Sequence, residues 1–538
     1  MTRPLVLTLL LLAAPALAKP PRLTLFIAVD ALGTDLLLRT RPLLRSGLAQ
    51  LIDKGAFYPD VRYQQGQVTT APGHAVLSTG AYPWRTGVVG NRVMNRSTGK
   101  DEPVFWDATH PALDAPANVE DVSPEAILAE TLSDHLRLFT QGRGKSIALS
   151  GKARAAIALA GRLGQAYWFN EQVGRLVTGT AYMKELPSWL RSFNERRLPD
   201  AAFGTDWTLA LPSKEYLGED DRPFESPAYG MGRTFPHSLK GGAPSPGAPS
   251  YAAFASSPFA NELLVQAAKA AIVAEGLGKD DVPDLLSVSF SATDLVYHRF
   301  GPYSWEMQDA LVRLDRQIGD LLAAAEKAAG GRQNLLVVLS SDHGGAALPE
   351  EWIAAGVNAT RVKPSVLKQG LAQELQTRFG APLLVGFVDR DVFLNGKAIA
   401  DKKLEASVVR RAAAEWLGRQ PGVALAVSAD DLESGQDLGG FLPALRRSHY
   451  PGRSGDVTFI LKPFSIFMDG DSGTTHGEPY AYDNQIPLVL YGKGVKPGVY
   501  RGQVHASDVG PTAAILMEMG APASAEGEPR VEAVAQGH

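Results

Sequence analysis

Leu23-Thr24-Leu25-Phe26-Ile27-Ala28-Val29-Asp30 is the stretch on which the fold turns. An apolar run this short reads as a strand buried on both faces, and its last residue sets a carboxylate at the strand's carboxyl end. Working outward, strand-like runs recur at Ser146 to Ser150, Leu285 to Phe290, Leu335 to Ser340 and Ile486 to Tyr491. Between them, apolar positions three and four apart predict helices over Ala126 to Leu138, Asn261 to Glu275 and Ser304 to Ala329. Strands alternating with helices predict an α/β fold, a mostly parallel sheet covered on both faces, with its ligand crevice at the strands' carboxyl ends. Two stretches break the rhythm and read as insertions into one large domain spanning 19–538. From about 155 to 283 the chain is rich in aromatics, Pro and Gly, including Ser245-Pro246-Gly247-Ala248-Pro249-Ser250, and reads as loop rather than sheet. From about 352 to 447, helical patterns at Val366 to Arg378 and Ser407 to Gly418 flank a strand-like Leu383 to Phe393, a small α+β unit. The small, polar tail from Ala521 to His538 is expected to be loosely ordered.

The 538 residues are 45% hydrophobic and 20% charged, with a net charge of -4, the balance of a folded globular protein too long for one typical core. So weak a charge does not favour nucleic acid or an anionic membrane as a bulk partner, and any anion site must be local. Met1-Thr2-Arg3, the apolar run from Leu5 to Ala18 and the closing Ala16-Leu17-Ala18 predict a signal peptide over 1–18, cleaved after Ala18. The mature chain is therefore expected to be periplasmic or secreted. No stable membrane anchor is expected, because the run is shorter than the roughly 20 apolar residues a span needs. Cysteine is absent, which excludes disulfides and thiolate metal sites. Any metal must be held by His, Asp, Glu or hydroxyl groups, a donor set suited to zinc, magnesium or manganese.

Asp30 taken alone reads equally as a cap or turn former. Thr69-Thr70-Ala71-Pro72-Gly73-His74 leads into Ala75-Val76-Leu77, so Thr70 falls where a helix begins and its hydroxyl faces free backbone N–H groups; Thr70 or Thr69 is otherwise a simple N-cap. Asp294 and His298, four apart after the third strand, share a helical face suited to one metal or to a surface ion pair. Asp342 and His343 sit side by side after the fourth strand, and His476 lies in a glycine-flanked loop. Lys152 and Arg154 follow the second strand; on an extended segment they point the same way and converge on one anion, unless they are ordinary surface cations. Asn91 offers an amide from a turn, or only forms the turn. As a set, three Asp and three His meet at one sheet edge and can hold two metal ions.

These segments, in this order, resemble the alkaline phosphatase superfamily, most closely the PafA-type bacterial alkaline phosphatases with a threonine nucleophile, relatives of the nucleotide pyrophosphatase/phosphodiesterases. The resemblance runs from Asp30 to about Asp508 and rests on Thr70-x-Pro-Gly-His, Asn91, Lys152-x-Arg154, Asp294 with His298, Asp342-His343 and Thr475-His476-Gly477. It implies a three-layer α/β/α catalytic domain with cap insertions and two Zn2+ per subunit. One ion would be held by Asp294, His298 and His476, the other by Asp30, Asp342, His343 and the Thr70 oxygen. Thr70 would be the nucleophile, with Asn91, Lys152 and Arg154 on the transferred phosphoryl group. The implied reaction is hydrolysis of small-molecule phosphate monoesters through a phosphothreonine, releasing inorganic phosphate. A monoester dianion presents one more charged oxygen than a diester, which the two cations answer. A phosphodiesterase of the same superfamily and a non-catalytic exported metal- or phosphate-binding protein are the alternatives. A sulfatase needs Cys or Ser where this chain has Thr70. Nothing in the sequence bears on oligomeric state.

Overall fold

The computed structural model describes residues 19–116, 120–436 and 439–535, so the expected signal peptide over 1–18 lies outside the described residues. In chain order the strands that matter are β1 (Leu23–Val29), β2 (Ala56–Arg62), β3 (Ser146–Ser150), β4 (Gln165–Asn170), β5 (Arg175–Gly179), β6 (Asp284–Phe290), β7 (Leu335–Ser340), β8 (Leu384–Val388), β9 (Asp391–Leu394), β10 (Val423–Ser428), β11 (Val457–Leu461) and β12 (Gln485–Gly492). The main sheet runs β2-β12-β7-β1-β6-β3-β4-β5, with short edge strands beyond. From β7 to β4 every pairing is parallel. β12 is antiparallel to both its neighbours, and β5 to β4. The mostly parallel α/β architecture is thus as expected, while the predicted strand Ile486 to Tyr491, inside β12, runs the other way.

Side chains alternate between the two faces of β1, and both faces are dry. Leu25, Ile27 and Val29 join one core with Leu311, Leu314 and Ile318 of the helix Trp305–Ala329. Phe26 joins the other with Val76 and Leu77 of the helix Thr70–Thr79. Helices cover both sides, which makes the three layers. The register is what matters for chemistry. Val29 lies beside Phe290, Ala28 beside Ser340, and Ser289 beside Ser150, so β1, β6, β7 and β3 end level with one another.

Several sequence expectations need correction. The helix expected over Ala126 to Leu138 is only Leu132–Phe139. Thr131 starts it, its Oγ accepting from the Asp134 N–H at 3.1 Å while Asp134 accepts from the Thr131 N–H at 3.2 Å, a reciprocal cap that fixes the first turn. Leu383 to Phe393 is a hairpin, β8 and β9, turned at Asp389 with φ +49°. The stretch from 155 to 283 is not loop throughout, since β4 and β5 extend the main sheet. The aromatic run is a strand there, with Tyr167 and Phe169 on one face and Ala166 and Trp168 on the other. β8 to β11 form a separate four-stranded antiparallel sheet in the order β8-β9-β11-β10, over a core of its own that includes Leu371, Leu375, Val409, Leu417 and Phe459. It draws in β11, beyond residue 447. The C-terminal tail is also tied down as far as it is described, with Ala533 buried and its carbonyl accepting from the Lys496 N–H at 2.8 Å.

Candidate metal centre and active site

Each strand end delivers a side chain. Asp30 follows β1 and its N–H reaches the Phe290 carbonyl at 3.1 Å, which keeps it in register with β6. The helix Ala292–Phe300 follows β6, placing Asp294 in its first turn and His298 one turn on. Asp342 and His343 follow β7, Lys152 follows β3, and His476 comes from the loop before β12. Asp30, Asp294, Asp342, His343 and Lys152 are all buried.

The side chains converge. Asp294 Oδ1 lies 3.3 Å from His298 Nε2 and 3.7 Å from His476 Nε2. His343 Nε2 lies 3.2 Å from Asp30 Oδ1, 3.4 Å from Asp342 Oδ2 and 3.9 Å from Asp294 Oδ1. Two groups, Asp294 with His298 and His476, and Asp30 with Asp294 and His343, each place three ligand atoms within 4.8 Å of one another. Asp294 belongs to both.

Second contacts orient the imidazoles. Nδ1 of His298 is 2.9 Å from the Thr474 carbonyl, that of His476 is 3.0 Å from the Val68 carbonyl, and that of His343 is 2.8 Å from the Gly344 carbonyl. With Nδ1 donating, each Nε2 keeps a lone pair for an ion. Asp30 Oδ1, Asp294 Oδ1, Asp342 Oδ2, His343 Nε2 and Thr70 Oγ are buried without a hydrogen-bond partner. Stranding one such atom costs about 1–3 kcal/mol. Five of them, oxygen and nitrogen donors from distant parts of the chain, fit a metal centre.

Lys152 Nζ bridges Asp30 Oδ2 at 2.6 Å and Asp294 Oδ2 at 2.5 Å, taking one oxygen of each carboxylate and leaving the other. Burial is the largest influence on Asp30 and opposes its charge, but Lys152 and His343 together outweigh it and hold the carboxyl below the usual range. Burial likewise opposes Asp294, and His298 and Lys152 hold it well below that range. Burial would lower Lys152; the two carboxylates push it up instead. His343 is pushed up to about 9, Asp342 and Asp30 overcoming burial. Burial, with His343 nearby, drives His476 well below its ordinary value. Burial raises Asp342, and Asp30 adds to it.

Thr70 is the first residue of its helix, and neither Thr69 nor Thr70 caps it through a side chain. Asn91 does so instead, its Oδ1 accepting from the Ala71 N–H at 2.8 Å; only its amide N–H groups then remain to donate. A Cβ on Gly73 would lie 2.3 Å from the Asp342 carbonyl oxygen, so only glycine lets this helix approach the metal loop. His74 has a role that the sequence does not announce. Its Nδ1 lies 2.9 Å from the Thr70 carbonyl and 3.3 Å from Asp342 Oδ2, and its Nε2 lies 2.8 Å from Ser289 Oγ, so it ties the Thr70 helix to the ligand loop. Its four-residue spacing from Thr70 was the available signal. The expected geometry for Lys152 and Arg154 needs correction. Only Lys152 has extended backbone, as the N-cap of the helix Ala153–Ala160, while Arg154 sits in that helix's first turn. A buried ammonium needs anions, and Lys152 finds them in Asp30 and Asp294, whereas Arg154 Nε has no partner.

The family model for type I phosphodiesterase / nucleotide pyrophosphatase matches residues 24–483. The chain belongs to that family. Within it, the alkaline phosphatase PafA of Elizabethkingia meningoseptica is 31% identical over 526 residues, 96% of this chain and 94% of that protein. A Myroides odoratus protein named calcium-transporting ATPase is 32% identical, covering 98% of this chain and 96% of its own. Among the described residues of the present chain no helix is long and apolar enough to cross a membrane. The crystal structure of PafA superposes with a TM-score of 0.90 at 30% identity, over 96% of this chain and 100% of that one. The family member described here is a PafA-type alkaline phosphatase, a phosphate monoester hydrolase.

Proposed function

We propose that the centre holds two zinc ions and that hydrolysis passes through a phosphothreonine on Thr70. The observation that carries this is the set of five buried, unpartnered donor atoms in which Thr70 Oγ stands with carboxylate and imidazole ligands. Zinc suits a cysteine-free Asp/His donor set. Bound ions would supply Lewis-acid stabilisation of the attacking and departing oxygens. Asp294, His298 and His476 would hold one ion, and Asp30, Asp342, His343 and the Thr70 oxygen the other, with Asp294 belonging to both ligand groups.

Thr70 Oγ gives up its proton to solvent and attacks phosphorus in line. The bond from phosphorus to the leaving oxygen breaks, its electron pair leaves with that oxygen, and solvent protonates it. Water, giving up a proton to solvent, then attacks the phosphothreonine, the Thr70 oxygen departs and takes a proton from solvent, and inorganic phosphate is released. The positive end of the Thr70 helix dipole favours the anionic states along this path. Asn91, with its carbonyl fixed on Ala71, directs its amide to the phosphoryl oxygens. Lys152 and Arg154 supply the positive charge that a monoester dianion needs more than a diester does. In the same reading residues 1–18 are a signal peptide that exports a single catalytic domain, 19–538, with cap insertions near 155–283 and 352–447. Lys19 should then be the first residue of the mature protein by N-terminal sequencing.

The test is turnover of p-nitrophenyl phosphate and bis-p-nitrophenyl phosphate by zinc-loaded protein, with and without a chelator. The monoester should be faster, the chelator should abolish turnover, and brief acid quenching should trap phosphate on Thr70. Faster diester turnover would favour the phosphodiesterase alternative; zinc binding without turnover of either ester would favour a binding protein.

A further inference from the structure

The turn between β8 and β9, Asp389-Arg390, and the first residue of β9, Asp391, put three charged residues in a row, and each contacts a different neighbouring segment. Beside Asn91, a Cβ on Gly90 would lie 3.5 Å from Asp389 Oδ2. Arg390 is only 4% exposed. Its guanidinium donates to the carbonyl of Gly477, the residue after His476, and lies 3.2 Å from Glu478 Oε1. Glu478 Oε2 in turn accepts from the Leu461 N–H at 3.1 Å. Gly477 has φ +123°, and a Cβ there would come within 2.8 Å of the Arg390 guanidinium, so the glycine clears the space that the cation fills.

The other side of His476 is gripped from the same inserted unit. The His476 ring hangs on the Val68 carbonyl, and the Val68 N–H returns to the Gly477 carbonyl at 3.3 Å. Residues just before Val68 are held by Ser448, whose Oγ accepts from the Gly66 and Gln67 N–H groups at 2.9 and 3.0 Å, and by Asp391, whose Oδ1 accepts from Gln67 Nε2 at 3.3 Å. A guanidinium buried at the edge of a unit that has its own apolar core contributes nothing to that core. Its donors go to the His476 loop.

We propose that Arg390 is a positioning residue for the metal centre: through the Gly477 carbonyl and the Val68 segment it fixes His476 so that Nε2 faces Asp294 and His298, and it thereby ties the affinity of that ion site to the inserted α+β unit. The inference rests on His476 being a metal ligand.

Removing Arg390 alone strands the buried Glu478, so the variant to compare is Arg390→Met with Glu478→Gln, which removes both charges together; Arg390→Lys is the conservative control. Zinc affinity is measured for both ions by competition with a chromophoric chelator. Loss of an outer contact to a ligating His weakens a site by about 10–100-fold. The double variant should show that loss at one ion and leave the other as in the parent, with added zinc restoring most of kcat, and Arg390→Lys should recover part of the lost affinity. Parent-like affinity at both ions would overturn the proposal. So would equal weakening of both ions with no recovery in Arg390→Lys, the mark of a general packing defect. His476→Ala separates the two ideas: it should bind one zinc fewer, and if it still binds two, the ligand assignment fails whatever Arg390 does.

Discussion

Asp30, Asp294 and Asp342 are buried together at the sheet edge, and Glu225 and Glu306 are buried together between a cap loop and the start of the helix Trp305–Ala329. At the edge, Lys152 lies between two of the carboxylates and three imidazoles are braced from behind. In the cap, His237 Nε2 meets Glu306 Oε1 at 2.9 Å and Arg222 lies 3.6 Å from Glu225 Oε1, while both oxygens of Glu225 lack a hydrogen-bond partner. Among the described residues no third ligand group closes on that pair as it does at the edge. The protonation follows. Burial, with Glu306 adding to it, pushes Glu225 up to about 9, whereas Lys152 and His343 together overcome burial to keep Asp30 ionised. A buried carboxylate with a weak counter-charge takes a proton; one with a close cation and oriented imidazoles stays available to an ion.

The widest separation between the two clusters should come from Thr70→Ala, which removes the hydroxyl beside the edge cluster and should lower kcat on p-nitrophenyl phosphate by at least about 1,000-fold while leaving zinc content unchanged. Next comes Asp294→Asn. Because Asp294 serves both ligand groups, elemental analysis should find both zinc ions depleted and activity down by at least about 100-fold. Retention of two ions would mean that Asp294 is not shared. Lys152→Ala combined with Arg154→Ala should cost about 100-fold more on a monoester than on a diester, and equal losses would remove these cations from substrate discrimination.

The smallest effect belongs to the cap. Glu225 ordinarily titrates at 4.5 and is raised to about 9, so the folded state keeps a proton that the unfolded state sheds. Its contribution to stability is complete below pH 4.5 and is lost as pH rises through about 9. Glu225→Gln should flatten that loss, with a Tm drop between pH 6 and pH 10 smaller by a few degrees than in the parent, read by calorimetry on zinc-loaded protein. An unchanged drop would show that the cluster holds no such proton.

The edge cluster was legible because parallel strands expose their ends. Apolar runs gave the positions of β1, β3 and β7, and a charged residue follows each within two positions, so Asp30, Lys152 and Asp342 could be named from local pattern alone. Partners fixed by register were not legible. His74 touches Ser289 across 215 residues, and Arg390 reaches Gly477 across 87; no periodicity links such positions. The direction of Lys152 is not legible for a related reason, since the carboxylates it bridges follow β1 and β6, far off in the sequence. The hairpin at Asp389 was read as one strand because its turn lacks glycine and its strands have similar apolar content.

Gly73 carries one more implication. Its helix rests backbone to backbone on the Asp342 loop, so the spacing between hydroxyl and ligands is a hard stop rather than a cushion of side chains that can repack. Exchanging Thr70 for serine leaves that stop intact, whereas one added methyl at Gly73 lifts the whole helix, and with it the reacting oxygen, out of range.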